Sequence, residues 1–159
     1  MSVKQVAQQL VAALPDDATF QDLDEFLWER SEVERGRDDL ASGQVSSHAE
    51  VTGSQEPGME GVLWSGHAAE SLRAAVEEEE RAALLSAVHE ACRSLVAGEG
   101  SAISLPEMGD AGILEIAVRL ARRRFRLLHE RKGASIRMLW FTDNTTCYRN
   151  IRYFVGTRA

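Results

Sequence analysis

The 159-residue chain is poor in cysteine, proline and aromatic side chains, with two, three and 6% respectively. Cys92 and Cys147 form no CxxC pair, so they can build neither a disulfide framework nor a zinc knuckle, and both are expected to be reduced and structural. His89 and Cys92, spaced i, i+3, could begin a metal site, but two further ligands are lacking; no metal and no cofactor are expected. No apolar run approaches the roughly 18 residues that cross a bilayer. The opening MSVKQVAQQL has no apolar signal stretch. A cytoplasmic protein without membrane contact is the expectation. MGDAG (residues 108–112) has neither the glycine spacing nor the following helix of a phosphate loop.

Charge is present in quantity and is unevenly placed. Residues 1–57 hold four Lys/Arg against twelve Asp/Glu, a net −8. Residues 58–110 hold three against ten, a net −7, and residues 111–159 hold eleven against three, a net +8. The basic third is densest in RLARRRFRLL, where Arg119, Arg122, Arg123, Arg124 and Arg126 are interleaved with apolar residues. Such segregation points to a surface that meets nucleic acid or that the chain's own acidic part covers.

The pattern along the chain predicts helices first. Val3, Val6, Leu10 and Leu14 recur at helical spacing. Pro15 and the Asp16–Asp17 pair break that helix. Thr19 with Asp22 forms a capping box for a second helix that carries Phe20, Leu23, Phe26, Leu27, Val33 and Leu40, and Gly36 weakens its middle. Ser47 with Glu50 offers a short further cap. This part reads as all helix, without a dense core of its own, so its stripe needs a partner surface. TGSQEPGMEG (Thr52–Gly61) reads as a linker. GVLWS is a short strand, and residues 67–100 are strongly helical with a break near Glu80. Glu77 and Arg81 are spaced as an i, i+4 pair.

Strands follow. SAISL and ILEIAVRLA read as extended, and Arg123–His129, ERKGA and Ser135–Phe141 as a hairpin with Gly133 in its loop. Alternation sets Phe125, Leu127 and His129 on one face and Arg124 and Arg126 on the other. Ile136, Met138 and Trp140 share a face, with Arg137 opposite. CYRNIRYFVG fits either a strand or a helix. The expected class is α+β: a helical arm (1–51), a linker (52–60) and a domain (61–159), for which a family resemblance implies two helices on a curved antiparallel sheet.

Two stretches resemble known families. LPDDATFQDLDEFLWERSEVERGRDDLASGQVSSHAEV (Leu14–Val51) resembles a small helical antitoxin family of bacterial addiction modules, in which an LPDDAT turn precedes a long helix and a G-x-V-S-H-x-E-V tail. LPEMGDAGILEIAVRLARRRFRLLHERKGASIRMLWF (Leu105–Phe141), within residues 61–159, resembles the RelE/ParE/HigB toxin superfamily, with Glu115 as the pattern's glutamate and Arg126 as its second arginine. Two departures stand out: Ala117 occupies a position where the family has arginine, and WFTDNTT has no lysine where the family ends F-x-K-K.

The resemblance implies a fused antitoxin–toxin chain: a RelE-like RNA-binding domain, a metal-independent mRNA endonuclease if active, covered by its own acidic arm. RNA cleavage at the 2′-OH needs fixed cations for the phosphate and an acid/base. The candidate catalytic residues are Arg126, His129 and Arg124, with His129 the one histidine of the basic third. The candidate RNA contacts are Arg122, Arg123, Arg137 and Lys132. Arg131 and Lys132 are expected to be solvated in the hairpin loop. Trp140, Phe141 and Tyr148 could stack on bases, although core packing suits Trp140 better. The partners implied are RNA or the ribosome, and an arm contact made within one chain or between copies in a homo-oligomer. The departures motivate an alternative, a catalytically inactive protein of the same fold that binds a protein target such as gyrase or acts as a regulatory scaffold. The acidity of residues 1–57 argues against a DNA-binding autoregulator.

Overall fold

A computed structural model describes residues 2–99, 102–104 and 112–143. The readings of Ser101, Leu105, most of MGDAG, Cys147, Tyr148 and CYRNIRYFVG lie outside the described residues.

The arm begins as expected. Helix α1 (Val3–Ala13) is capped by Ser2, with Gln5 reaching back. Helix α2 (Phe20–Ala41) is capped by Thr19, whose hydroxyl accepts the Asp22 N–H while the Asp22 carboxylate accepts the Thr19 N–H. Both boxes satisfy backbone donors that a helix start leaves open. The arm is not all helix, however. Val45–Ser47 forms strand β1, which pairs antiparallel with strand β2 (Val62–Ser65). Three residues are too few for alternation to announce a strand. Ser47 and Glu50 cap the short helix α3 (His48–Thr52), which stops at Gly53 with φ 76°.

After β2 come α4 (Gly66–Ala74) and α5 (Glu78–Ala97), with the break at residues 75–77. Glu77 is the N-cap of α5 rather than a partner of Arg81. Strands β3 (Ile103–Ser104), β4 (Leu114–Leu120), β5 (Arg123–Lys132) and β6 (Ser135–Thr142) complete one curved, unclosed sheet in the order β1-β2-β6-β5-β4-β3. The β2–β6 pair is parallel and the rest are antiparallel. The chain is therefore mixed α+β. Strand β5 runs three residues further than the sequence suggested, leaving only Gly133 and Ala134 as the turn. Its charged end is held in the ladder by outside partners: Glu130 takes Arg37, and Arg131 donates to the Leu95 carbonyl oxygen at 3.0 Å.

The sheet is covered on both faces. One face (Val62, Trp64, Ile116, Val118, Phe125, Leu127, Met138, Phe141) packs on α3, α4 and α5 in the main core. The other carries Ile113, Leu128, Leu139 and Trp140 against Val33 and Leu40 of α2. A register shift makes this possible: Leu128 faces Trp140 but His129 faces Met138, so Leu139 is an extra residue. Such a bulge turns two successive side chains toward one face. Helix α2 crosses at the bulge so closely that a β-carbon on Gly36 would stand 2.1 Å from the Leu139 carbonyl oxygen. The glycine that weakens the helix is what lets it dock. The Ser65 hydroxyl donates to the same carbonyl at 3.2 Å. Helix α1 rests on α2 through Leu10 and Phe26.

Candidate functional site

Arg126 lies at the centre of the α2 face, and it is not open to a ligand. Its Nη1 meets Glu29 Oε1 of α2 at 2.8 Å, and its Nε meets Glu115 Oε2 of β4 at 2.8 Å. Their side chains are 2%, 0% and 2% exposed. A guanidinium suits two carboxylates because its donors form a rigid fork. Burial pushes the Glu29 carboxyl up to about 7; the Arg126 charge and hydrogen bond oppose this, and Glu115 and Glu25 add to it. In so dry a site the charged form of Glu29 is disfavoured first by burial and then by repulsion from Glu115, so its carboxyl is held near its titration point at neutral pH.

The arm brings further carboxylates to α4. Glu32 Oε2 is 2.6 Å from His67 Nε2, and Asp39 Oδ2 accepts the His67 backbone N–H at 2.7 Å, at the start of α4. Asp39 thereby offsets the positive end of that helix. One pair runs the other way: Arg37 of the arm meets Glu130 of the sheet at 2.9 Å. Complementarity is residue by residue, not a negative arm on a wholly positive face. Apolar burial does most of the holding. Each of Val33 and Leu40 contributes about 2 kcal/mol, whereas a buried ion pair roughly breaks even against its desolvation.

The other arginines are dispersed. Arg124 shares the Arg126 face, half-buried, directly across from Arg119 of β4. Its Nε has no partner among the described residues. Arg122 is exposed in the β4–β5 turn. Arg123 turns to the opposite side: it donates to the Ala75 carbonyl oxygen at 3.1 Å, stands 3.8 Å from Glu80, and lies over the Phe125 ring. Arg137 is half-buried across from Glu130. Lys132 is exposed at the far hairpin end. Arg131 is not merely solvated, since it caps the carbonyl end of α5 through Leu95. The structure brings Arg124 and Arg126 onto one face and leaves Arg122, Arg123 and Lys132 apart from them.

His129 does not join the arginines. Alternation sends it to the α5 side, where it is 0% exposed. Its Nδ1–H donates to the Leu127 carbonyl oxygen at 3.2 Å, and burial lowers its pKa to about 4. A neutral imidazole in the core on the wrong face cannot serve as the acid/base of an Arg126 site. Trp140 and Phe141 are core residues, 3% and 1% exposed, so they offer no stacking platform. Trp140 packs edge-to-face on Trp28 of α2, with ring centres 5.2 Å apart. Cys92 lies in the main core, where burial pushes its thiol up to about 12.

Two features escaped the sequence reading. Glu29 falls on the buried stripe Phe26, Glu29, Val33, Gly36, Leu40, with spacings of three and four. A glutamate in such a stripe is a legible sign of a buried partner. The second is a chain of rings. The Trp64 indole N–H meets His48 Nδ1 at 3.2 Å, His48 Nε2 meets His89 Nδ1 at 2.9 Å, and His89 Nε2 meets Glu56 Oε2 at 2.6 Å. Ser54 Oγ is 3.3 Å from the same His89 nitrogen. This Ser–His–His geometry does not activate a nucleophile. The indole can only donate, which fixes a proton on each Nε2 in turn and leaves His89 no lone pair toward Ser54. Residues 54 and 56 of the supposed linker are thus anchored to α5. Among the described residues no His, Cys, Asp or Glu cluster fits a metal ion, and no helix is long and apolar enough to cross a membrane.

Compared with known protein families, curated proteins and solved structures, the chain matches none.

Proposed function

We propose that the chain is a cytoplasmic, self-covered protein of toxin–antitoxin type, in which residues 61–159 carry a RelE-like anion-binding sheet and residues 1–51 are its antitoxin-like cover. The observation that carries this reading is the buried clamp on Arg126. The arginine that the family pattern singles out is held by Glu115, the pattern's glutamate, and by Glu29 from the arm. The order strand, two helices, four antiparallel strands in residues 62–142 also supports it. With the arm removed, Arg126 and Arg124 present fixed cations on one face, suited to the phosphates of RNA on a ribosome.

Binding is better supported than cleavage. No histidine shares the arginine face, Ala117 replaces an arginine, and the arm's Glu29 would leave with the arm. The second reading, an inactive domain that grips an acidic protein target such as gyrase, rests on that same observation.

Inducible expression of residues 61–159, with and without residues 1–57 supplied as a separate chain, tests the proposal. The expected outcome is growth arrest by the soluble fragment and relief by the arm in trans, with reporter mRNA cut or merely bound separating the two readings. A soluble, folded fragment that leaves growth unchanged and binds neither RNA nor a gyrase subunit overturns both.

A further inference from the structure

We propose that Trp64, His48, His89 and Glu56 form an acid-opened latch that fastens the tail of the arm to α5. It concerns how residues 45–60 are held, and does not depend on what the sheet face binds.

The latch follows from counting protons. An indole N–H only donates, so His48 Nδ1, 3.2 Å away, must accept. The single proton of His48 then sits on Nε2 and donates to His89 Nδ1 at 2.9 Å. His89 in turn carries its proton on Nε2, facing Glu56 Oε2 at 2.6 Å. Each gap holds one proton and has no room for another. A proton added to His48 would face the indole N–H. A proton added to His89 would face the His48 Nε2–H. Either places two N–H groups against each other at hydrogen-bond distance, so the chain closes only while both rings are neutral.

The surroundings reinforce this. His48 is 1% exposed. Burial and the neighbouring His89 lower its pKa to about 4, against an upward pull from Glu56. From α5, Arg93 stands 3.3 Å from Glu56 and 3.2 Å from Glu90, while Cys92 stays neutral with its thiol at about 12. From α3, Glu50 is engaged in the Ser47 cap. From the 53–61 segment, Glu56 and Glu60 line a cavity of about 260 Å³ beside His48 and Ser54. Strand β2 contributes only the indole. The ordinary histidine pKa near 6.5 falls toward 4 on folding, so the folded tail binds fewer protons than the opened one. The latch's stability is complete above about pH 6.5 and is lost as pH falls toward 4.

The parts joined are distinct elements: α3 at the end of the arm, the segment that follows it, β2 and α5. Opening would free the tail while leaving β4, β5 and β6 paired.

Hydrogen exchange on the full chain at about pH 7.5 and about pH 5, corrected for intrinsic rates, tests the latch. Protection of residues 45–60 is expected to fall at least ~10-fold at the lower pH while β5 and β6 keep theirs. His48→Gln, which takes no proton and can turn its amide oxygen toward a protonated His89, is expected to lose this response. Trp64→Phe frees His48 to move its proton to Nδ1 and accept from a protonated His89, and is expected to shift opening to lower pH. Protection that does not change with pH, or an acid response that persists in His48→Gln, overturns the proposal. If the variants do not fold, ring nitrogen-15 shifts of the unaltered chain decide: both histidines should be Nε2–H at neutral pH, and either ring found as Nδ1–H contradicts the latch.

Discussion

At the residue scale, one side chain concentrates the problem that the composition poses. Arg126 is buried among carboxylates, and its surroundings make the substitution effects unequal. Arg126→Met should cost about 3–5 kcal/mol in denaturant unfolding, because it strands Glu29 and Glu115 in a dry site. Glu29→Gln should cost far less, since an amide oxygen can still accept from Arg126. Its mark is a changed pH profile. Glu29 has its carboxyl raised from 4.5 to about 7, so the folded chain holds a proton that the unfolded chain has released. The stability this group contributes is complete at or below about pH 4.5 and is lost as pH rises through about 7. Unfolding titrations of Glu29→Gln should lack that slope. A slope identical to that of the unaltered chain would mean that another group titrates. The sequence displayed the arginine but not its fate. Interleaved arginines read as a surface, and only the partner in the buried stripe of a distant helix shows that one of them is sequestered.

At the scale of elements, the docking of α2 on β6 depends on a glycine and a bulge. Gly36→Ala improves helix propensity by about 1 kcal/mol. It also drives a methyl to 2.1 Å from a backbone oxygen, which neither helix nor sheet can relieve without separating. Overpacking of this kind costs about 1–3 kcal/mol, so the net effect should be destabilisation, seen as a lower denaturation midpoint. The caps at Thr19 and Ser47, the β2 strand and the alternation along β5 were all legible, because each rests on neighbours within a few residues. Strand β1, the bulge at Leu139 and the anchoring of Ser54 and Glu56 were not. Each depends on a contact made across the fold, and a glycine- and proline-containing stretch such as TGSQEPGMEG looks the same whether it hangs free or is pinned by a histidine.

At the scale of the whole molecule, the acidic first third and basic last third do meet, but through a few defined pairs over an apolar seam. Glu29 meets a guanidinium, Asp39 the start of α4 and Glu32 the His67 imidazole, while Arg37 and Glu130 exchange the signs. The charge count therefore located the partners of the arm without describing their contact. The candidate site was half legible for the same reason: strand alternation placed Arg124 and Arg126 together, and it also placed His129 on the other face, out of reach of an Arg126 site. Strand β1 of the arm pairs with β2, so the arm is built into the fold and not merely tethered to it.

The central claim is that the arm excludes an anionic ligand from the arginine face. The most direct measurement is the binding of a labelled single-stranded RNA at fixed low salt to residues 61–159, verified as folded by circular dichroism, with residues 1–57 titrated back. Binding by the fragment that weakens with salt and is displaced by the arm, against none by the full chain, is the predicted result. A folded fragment that ignores RNA, or one whose RNA binding the arm does not disturb, would contradict it.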